Sequence, residues 1–388
     1  MSRLDELVQE LCPNGVTYKK LVDAVSIERG KRVVRSQLST SGKYPVYQNS
    51  LTPLGYHTDC NYSANTTFII VAGAAGEIGF SDRAFWAADD CFAIVCPEGV
   101  LNRYVYHLLL NNQNQLLSKV RKASIPRLSR SAIENLVIPV PHLEIQREIV
   151  RILDNFTKLT AELIAELIAR KTQYDFYRDK LLTFHSDTKI VQLADIADIG
   201  TGSSNTNEAV EDGKYPFFVR SQEPLRKNDF EYDETAIITA GDGVGVGKVY
   251  HYIEGRYALH QRAYRIHINT PEVVPKYYFH YMKAKFLPYI QKTMFQGSVA
   301  SIRRPMLNAF PVPVPSLDVQ NRIVKVLDNF EKICSDLNIG LPAEIEARQK
   351  QYEYYRDKLL TFAENGNTIL SRAEQSRAEQ RIDSKRMC

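Results

Sequence analysis

The chain carries one long phrase twice. QYDFYRDKLLTF ends at residue 184 and QYEYYRDKLLTF at residue 362. The duplication reaches well beyond this phrase. GKYPVYQNS begins at Gly42 and GKYPFFVRS at Gly213; TTFIIVAGAAGEIG begins at Thr66 and ETAIITAGDGVGVG at Glu234. VYHLLL at Val105 matches YFHYMK at Tyr278, and IPVPHLEIQREIVRILDNF at Ile138 matches VPVPSLDVQNRIVKVLDNF at Val312. The offset drifts between 168 and 178 residues, so insertions and deletions fall in the variable segments. A period of this size is a domain, far above the roughly 20–50 residues of a solenoid unit. Each half therefore reads as one globule followed by one shared element.

Within each half, short β-branched and aromatic runs (FIIVA, AIITA, FAIVC, YRIHI) are separated by Gly, Asn, Asp and Pro turns. Helical stretches follow near Asn102–Leu117 and Pro275–Gln291. This predicts a mixed α/β globule with a curved sheet. Pro139-Val140-Pro141 and the prolines at 311, 313 and 315 then predict an extended exit, because proline cannot sit inside a helix.

The shared element has the spacing of a long helix. Ile149, Leu153, Phe156, Thr160, Leu163, Leu167, Arg170, Tyr174, Tyr177 and Leu181 alternate steps of four and three. Eight of these ten are apolar, a 3.5-residue repeat that marks a coiled-coil seam. The second copy gives Ile323, Leu327, Phe330, Cys334, Leu337 and Leu341, then resumes at Ile345, Arg348, Tyr352, Tyr355 and Leu359. Gly340 and Pro342 sit where the phase slips by four, which predicts a break or kink there. Two matching seams in one chain pack most simply against each other, antiparallel.

Net charge is only +4, but its distribution is uneven. Gly99–Ile133 contains no acid and six basic residues; Val273–Leu317 repeats that pattern. Two similarly placed cationic stretches point to a polyanion. Lys119, Arg121, Lys122, Arg127 and Arg130 in the first globule are candidate phosphate contacts, with Lys292, Ser298, Ser301, Arg303 and Arg304 in the second. Base readers should be forked or amide side chains on loops. The candidates are Arg29, Lys31, Arg32, Gln48 and Asn49, then Ser203, Asn205, Arg220, Gln222, Gln261 and Arg262. Gln48-Asn49-Ser50 and Val219-Arg220-Ser221 follow the same GKYP turn.

No apolar run approaches the roughly 20 residues of a membrane helix. The N-terminus lacks the apolar core of a signal peptide, so the expected location is cytoplasmic. Six cysteines, with Cys91 and Cys96 the closest pair, fit neither a disulfide framework nor a metal signature and are expected to be free thiols.

Two variable globules, each followed by P-x-x-x-Q-x-x-I-V-x-x-L-D-N-F, a long helix and YRDKLLTF, resemble the specificity subunit of type I restriction–modification systems. The resemblance covers about residues 1–362, and CPNGVTYKKL is similar to that family's N-terminal entry. It implies two target recognition domains, each reading half of a split sequence in double-stranded DNA. It also implies two long antiparallel helices that form a coiled coil with pseudo-twofold symmetry. The implied partners are two methyltransferase subunits and the restriction–translocase subunits, with no catalytic residue, cofactor or metal on this chain. Boundaries are expected at 1–142 for the first recognition domain, 143–184 for the first helix, 185–314 for the second domain and 315–362 for the second helix.

The glycine loops AGAAGEIG and AGDGVGVG each follow a strand, but neither contains G-x-G-x-x-G nor the lysine of a phosphate loop. They read as tight turns or close backbone approaches. Asp242 is a weak candidate acceptor from a cytosine amino group and a stronger candidate turn residue. Asp89-Asp90 reads as a turn, and His107 and His280 as packing residues. A coiled-coil scaffold that never touches DNA and a nucleotide-dependent enzyme using the glycine loops are the alternatives. Residues 363–388 repeat SRAEQ, are polar and of low complexity, and are expected to form a frayed tail.

Overall fold

The computed structural model describes residues 2–39, 42–293 and 301–362. Ser298 and the expected tail therefore lie outside the described residues. The chain forms two compact units: one takes residues up to Glu162 together with the segment from Ile345, the other Leu163–Glu344. Neither unit is one half of the repeat.

The first unit opens on α1 (Arg3–Leu11). Its Ser2 cap accepts the Asp5 N–H at 3.3 Å while Asp5 accepts the Ser2 N–H at 2.8 Å, a reciprocal capping box. β1 (Tyr18–Lys20), α2 (Leu21–Ala24) and β2 (Ser26–Arg29) follow, then β3 (Tyr44–Tyr47), β4 (Gly55–His57), β5 (Thr66–Ile70), β6 (Ile78–Ser81), β7 (Trp86–Ala87) and β8 (Cys91–Val95). These make a four-stranded sheet, order β2-β8-β5-β6, and a three-stranded sheet, order β4-β3-β7. All of β5 is buried: Phe68, Ile69 and Ile70 join the core, while the Thr66 and Thr67 hydroxyls donate to Ser63 O at 2.9 Å and Asn102 O at 3.0 Å. α3 (Asn102–Asn111) and α4 (Gln113–Ser118) divide the single helix expected at 102–117. The break is at Asn112, whose side chain donates back to Leu108 O at 2.8 Å. This is the local competition with helix that asparagine offers. α5 (Arg130–Glu134) leads to β9 (Val137–Pro139), which pairs with β1 so that Pro139 lies opposite Tyr18. α6 (Leu143–Leu181) is one continuous helix that begins in this unit and ends in the other.

The second unit repeats the plan. β10 (Ile190–Gln192), β11 (Ala197–Thr201), β12 (Tyr215–Phe218), β13 (Leu225–Lys227), β14 (Tyr232–Ala240), β15 (Tyr250–Leu259) and β16 (Ala263–Ile268) precede α7 (Pro275–Thr293), α8 (Arg304–Asn308) and β17 (Pro311–Pro313). Here a single six-stranded sheet forms, order β11-β16-β14-β15-β12-β13. β15 joins the two parts of that sheet: Tyr250–Tyr257 pair with β14 on one edge, and Ala258–Leu259 pair in parallel with β12 on the other. The corresponding stretch of the first unit is interrupted into β6 and β7. α9 (Leu317–Ser335) and α10 (Leu341–Leu359) close the described chain.

The ladders revise one sequence match. Ile70 lies opposite Cys91 and Ala240 opposite Ala263, so β5 and β14 correspond with an offset of two residues from the glycine-based alignment. A shift of two keeps every side chain on its face, so apolar patterning alone cannot detect it.

The Q of the shared motif has an identical buried role in both copies. Gln146 accepts the Leu101 N–H at 2.9 Å and donates to Gly99 O and Pro141 O at 3.0 and 2.9 Å. Gln320 accepts the Val274 N–H at 2.8 Å and donates to Glu272 O and Pro315 O, both at 2.8 Å. Each glutamine ties the start of a domain helix to the start of a long helix.

The repeated phrase packs at the ends of the long helices. In the first unit Phe156 stacks on Tyr355 at 5.3 Å between ring centres, with Ile149, Leu153 and Leu359 in one core. In the second unit Tyr177 stacks on Phe330 at 5.9 Å, Tyr174 lies 6.1 Å from the same ring, and Leu181 joins Ile323 and Leu327. Leu163, Leu167 and Ile345 are half-buried. Leu337 departs from the expected seam. The helix stops at Ser335, where the Asp336 carboxylate accepts the Asn338 N–H at 2.7 Å, and Leu337 is 73% exposed in the connection. Among the described residues, five cysteines are free, and no helix is long and apolar enough to cross a membrane.

Candidate nucleic-acid interface

In the first domain several sequence candidates meet at one corner. Arg121 and Arg127 exchange main-chain hydrogen bonds of 2.8 and 3.2 Å, closing a small loop that carries Lys122, with Lys119 just before it at the end of α4. This loop lies on the turn after β5: Leu128 N–H donates to Val71 O at 2.9 Å and Gly73 N–H to Pro126 O at 3.1 Å. That turn in turn lies on Asn49, whose carbonyl accepts the Ala74 N–H at 2.9 Å. Gly73 has φ +82°, and a Cβ there would fall 2.9 Å from Asn49 Cβ and O. The glycine loop is thus a close backbone approach. Lys119, Arg121, Lys122 and Arg127 are exposed, and no side-chain hydrogen bond or ion pair among the described residues holds them.

Other candidates are engaged elsewhere. Arg130 pairs with Glu134 at 2.7 Å and donates to Ile27 O at 3.0 Å, fastening α5 to β2. Arg29 donates to Asp89 O at 2.9 Å, so the Asp89-Asp90 turn is held by a cation and shows its carbonyl to it. Lys31 accepts the Trp86 indole N–H on its carbonyl at 2.9 Å, leaving its side chain exposed beside exposed Arg32; Gln48 is half-buried.

The second domain builds the same corner with different side chains. Gly241 N–H donates to Arg262 O and Ile302 N–H to Gly241 O, while Asp242 bridges to Ser301. Arg220, Asn205, Gln261 and Arg262 come together here. Gln261 donates to Asn205 Oδ1 at 2.6 Å. Asp242 accepts from Arg220 at 2.7 Å and from Arg262 at 3.2 Å. Burial raises the Asp242 carboxyl, but the two guanidinium groups outweigh it and hold it below the usual range. Ser203 is fixed by its N–H to Glu231 at 3.0 Å, and Gln222 is exposed in the turn after β12. Lys292 is exposed in the last turn of α7, and Arg303 and Arg304 begin α8.

Sequence reasoning passed over His260. It is buried, its Nδ1 accepts the Arg262 N–H at 3.0 Å, and burial followed by Arg220 and Arg262 holds its ring below the usual histidine range. The only available signal was its place beside Gln261 and Arg262 in a tight turn between two apolar runs.

His107 and His280 belong to buried clasps. His107 Nε2 lies 2.9 Å from Asp154 and Nδ1 3.2 Å from the Tyr352 hydroxyl; Arg103 pairs with the same aspartate at 2.9 Å. His280 Nε2 lies 2.7 Å from Asp328, with Glu331 at 3.9 Å from Nδ1. His280, Asp328 and Glu331 have the composition of a metal site. However, Lys283 lies 2.6 Å from Glu331 and Lys276 3.9 Å from Asp328, so ammonium groups already supply the positive charge.

A family model described as the type I restriction modification DNA specificity domain matches residues 13–170 and 185–347. The chain belongs to this family. A putative type I restriction enzyme specificity subunit from Haemophilus influenzae is 28% identical over 90% of this chain and 96% of its own length. A type I restriction enzyme specificity subunit from Escherichia coli is 36% identical over 68% of this chain and 71% of its own. The crystal structure of a type I specificity subunit from M. genitalium matches with a TM-score of 0.67 at 16% identity, over 89% of this chain and 96% of that one. A chain solved in work on complex assembly and conformational transition of the type I system matches at 0.58 and 12% identity, over 90% and 98%. These two structures share the fold of this chain.

Proposed function

We propose that this chain gives a type I restriction–modification complex its DNA sequence specificity and leaves the chemistry to other subunits. Each recognition domain reads one half of a bipartite target through the corner described above. The long helices set the gap between half-sites and offer a docking surface to two methyltransferase subunits, with restriction–translocase subunits joining the assembly in the cytoplasm. The carrying observation is the family match to both halves of one chain. Its physical support is the recurrence of one corner on two domains, each beside an acid-free cationic stretch.

Mapping methylated bases in cells that express this chain with its methyltransferase is the test. The expected result is one motif made of two specified halves and an unspecified gap of constant length. A single contiguous motif, or methylation without sequence preference, would refute the reading.

A further inference from the structure

The strongest feature outside the shared scaffold is the Arg220–Asp242–Arg262 triad. The three residues come from three separate loops, after β12, after β14 and between β15 and β16. Asp242 Oδ1 accepts from Arg220 Nη1 at 2.7 Å, and Asp242 Oδ2 accepts from Arg262 Nη1 at 3.2 Å. One carboxylate therefore holds two guanidinium groups, one on each oxygen. Its side chain is only 21% exposed, whereas those of Arg220 and Arg262 are 42% and 60% exposed. Among the described residues, no other hydrogen bond or ion pair holds either guanidinium, so the remaining N–H groups of both forks are open to solvent. The loops themselves are tightly set. Gly241 N–H donates to Arg262 O and His260 N–H to Phe218 O, both at 2.9 Å. A Cβ at Gly245 would fall 2.5 Å from Arg220 O.

The first domain shows that the fold does not require this triad. Val71 N–H donates to Asp90 O as Gly241 N–H does to Arg262 O, and Ala88 N–H donates to Tyr47 O as His260 N–H does to Phe218 O. Ala72 bridges to Arg127 as Asp242 bridges to Ser301. By these matches the counterparts of Arg220, Asp242 and Arg262 are Asn49, Ala72 and Asp90. The same corner forms there with no cation at any of the three places. A charge cluster that one copy has and its twin lacks, on an otherwise common frame, belongs to what differs between the domains. What differs is the sequence read.

We propose that Arg220 and Arg262, spaced by Asp242, read guanine in the half-site taken by the second domain. This rests on the reading that the domain contacts duplex DNA. An arginine fork matches the O6 and N7 acceptors of guanine in the major groove, and no other base offers that pair. Asp242 is a positioning residue. It removes most of the pair's freedom before binding and cancels one of two adjacent positive charges, so the forks do not simply seek phosphates. In the first domain, Asn49 at the place of Arg220 has the amide chemistry suited to adenine instead.

The test uses the chain assembled with its methyltransferase, with binding sites selected from randomised duplexes. The wild-type second half-site is expected to contain at least one guanine. R262A and R220A are each expected to relax preference at a G·C position about tenfold to hundredfold, leaving the first half-site and the gap unchanged. R262K, which keeps charge at an exposed position but lacks the fork, should relax it as well. D242N should strengthen binding to unrelated duplexes and narrow the ratio of specific to unrelated affinity. If R262K and R220A complexes still select both half-sites unaltered, or the second half-site holds no guanine, the proposal is overturned while the bipartite reading stands. If the wild type selects no bipartite site, both fall together.

Discussion

Single residues carry the joints of this molecule. The Gln146 and Gln320 side chains are fully buried, and each satisfies three main-chain groups. Gln146→Leu keeps the volume and leaves those groups unpaired, so it should destabilise the first unit by about 3 kcal/mol. Urea unfolding midpoints of the variant and wild type would measure this; an unchanged midpoint would show the bonds to be dispensable. The histidine clasps make a pH prediction. Burial first, opposed by Asp154, holds His107 below its ordinary value, and burial does the same to His280. Both rings are therefore neutral in the fold, with Nε2–H donated to an aspartate. Below about pH 6.5 the unfolded chain binds protons that the folded chain resists, so stability falls as pH drops through that value. Asp154 acts with the same sign lower down: burial raises its carboxyl, but His107 and Arg103 outweigh that, and the net depressed value means stability is lost on acidification. The melting temperature should drop between pH 7 and 5, and drop less in a variant with both His107→Asn and His280→Asn. A flat profile for the wild type would contradict the neutral assignment. The repeat made both histidines and both glutamines visible as matched positions, but apart from Pro141 and Pro315, five residues from the glutamines, their partners are 45 to 245 residues away in the chain and could not be read from it.

At the scale of elements, periodicity was the reliable guide. The seam of fours and threes corresponds to α6, and the four-residue slip near Gly340 coincides with the gap between α9 and α10. Leu337 failed because the carboxylate of Asp336, the residue just after the helix end, captured the backbone, which apolar spacing does not register. The expected helix at 102–117 failed at Asn112 for the same reason. The loop carrying Arg121, Lys122 and Arg127, with Lys119 just before it, is the clearest electrostatic element, because its cations are exposed while that of Arg130 is bound to Glu134. Replacing Arg121 with Ala should weaken binding of the assembled complex to all duplexes alike and reduce the slope of log affinity against log salt by about one. Replacing Arg130 should leave that slope unchanged and lower stability instead. Equal slopes for wild type and the Arg121 variant would remove the loop from the phosphate surface.

At the scale of the whole chain, the repeat acquires a meaning that neither half has alone. Each compact unit combines one recognition domain, the near half of its own long helix and the far segment of the other repeat's helix. Tyr352 and Tyr355 serve the first unit, and Tyr174 and Tyr177 serve the second. This is why the same phrase ends both helices. If the helices set the gap between half-sites, inserting four residues beside Thr160-Ala161-Glu162-Leu163 adds about 6 Å of helix, close to two base-pair steps of about 3.4 Å. The methylated motif of that variant should keep both halves and show a longer gap; altered bases in either half would refute the separation of roles.

Order along the chain was enough to establish the duplication, the α/β domains, the extended proline exits and the long apolar seams. Those are local or periodic properties, set by backbone preferences and by which face of an element must leave water. Tertiary structure alone decided which copy's helix end completes which unit, that β5 and β14 match with a two-residue shift, and that Arg220, Asp242 and Arg262 share one site. Each of these depends on groups distant in sequence being brought within a hydrogen bond of one another, and period and composition carry no information about such distances.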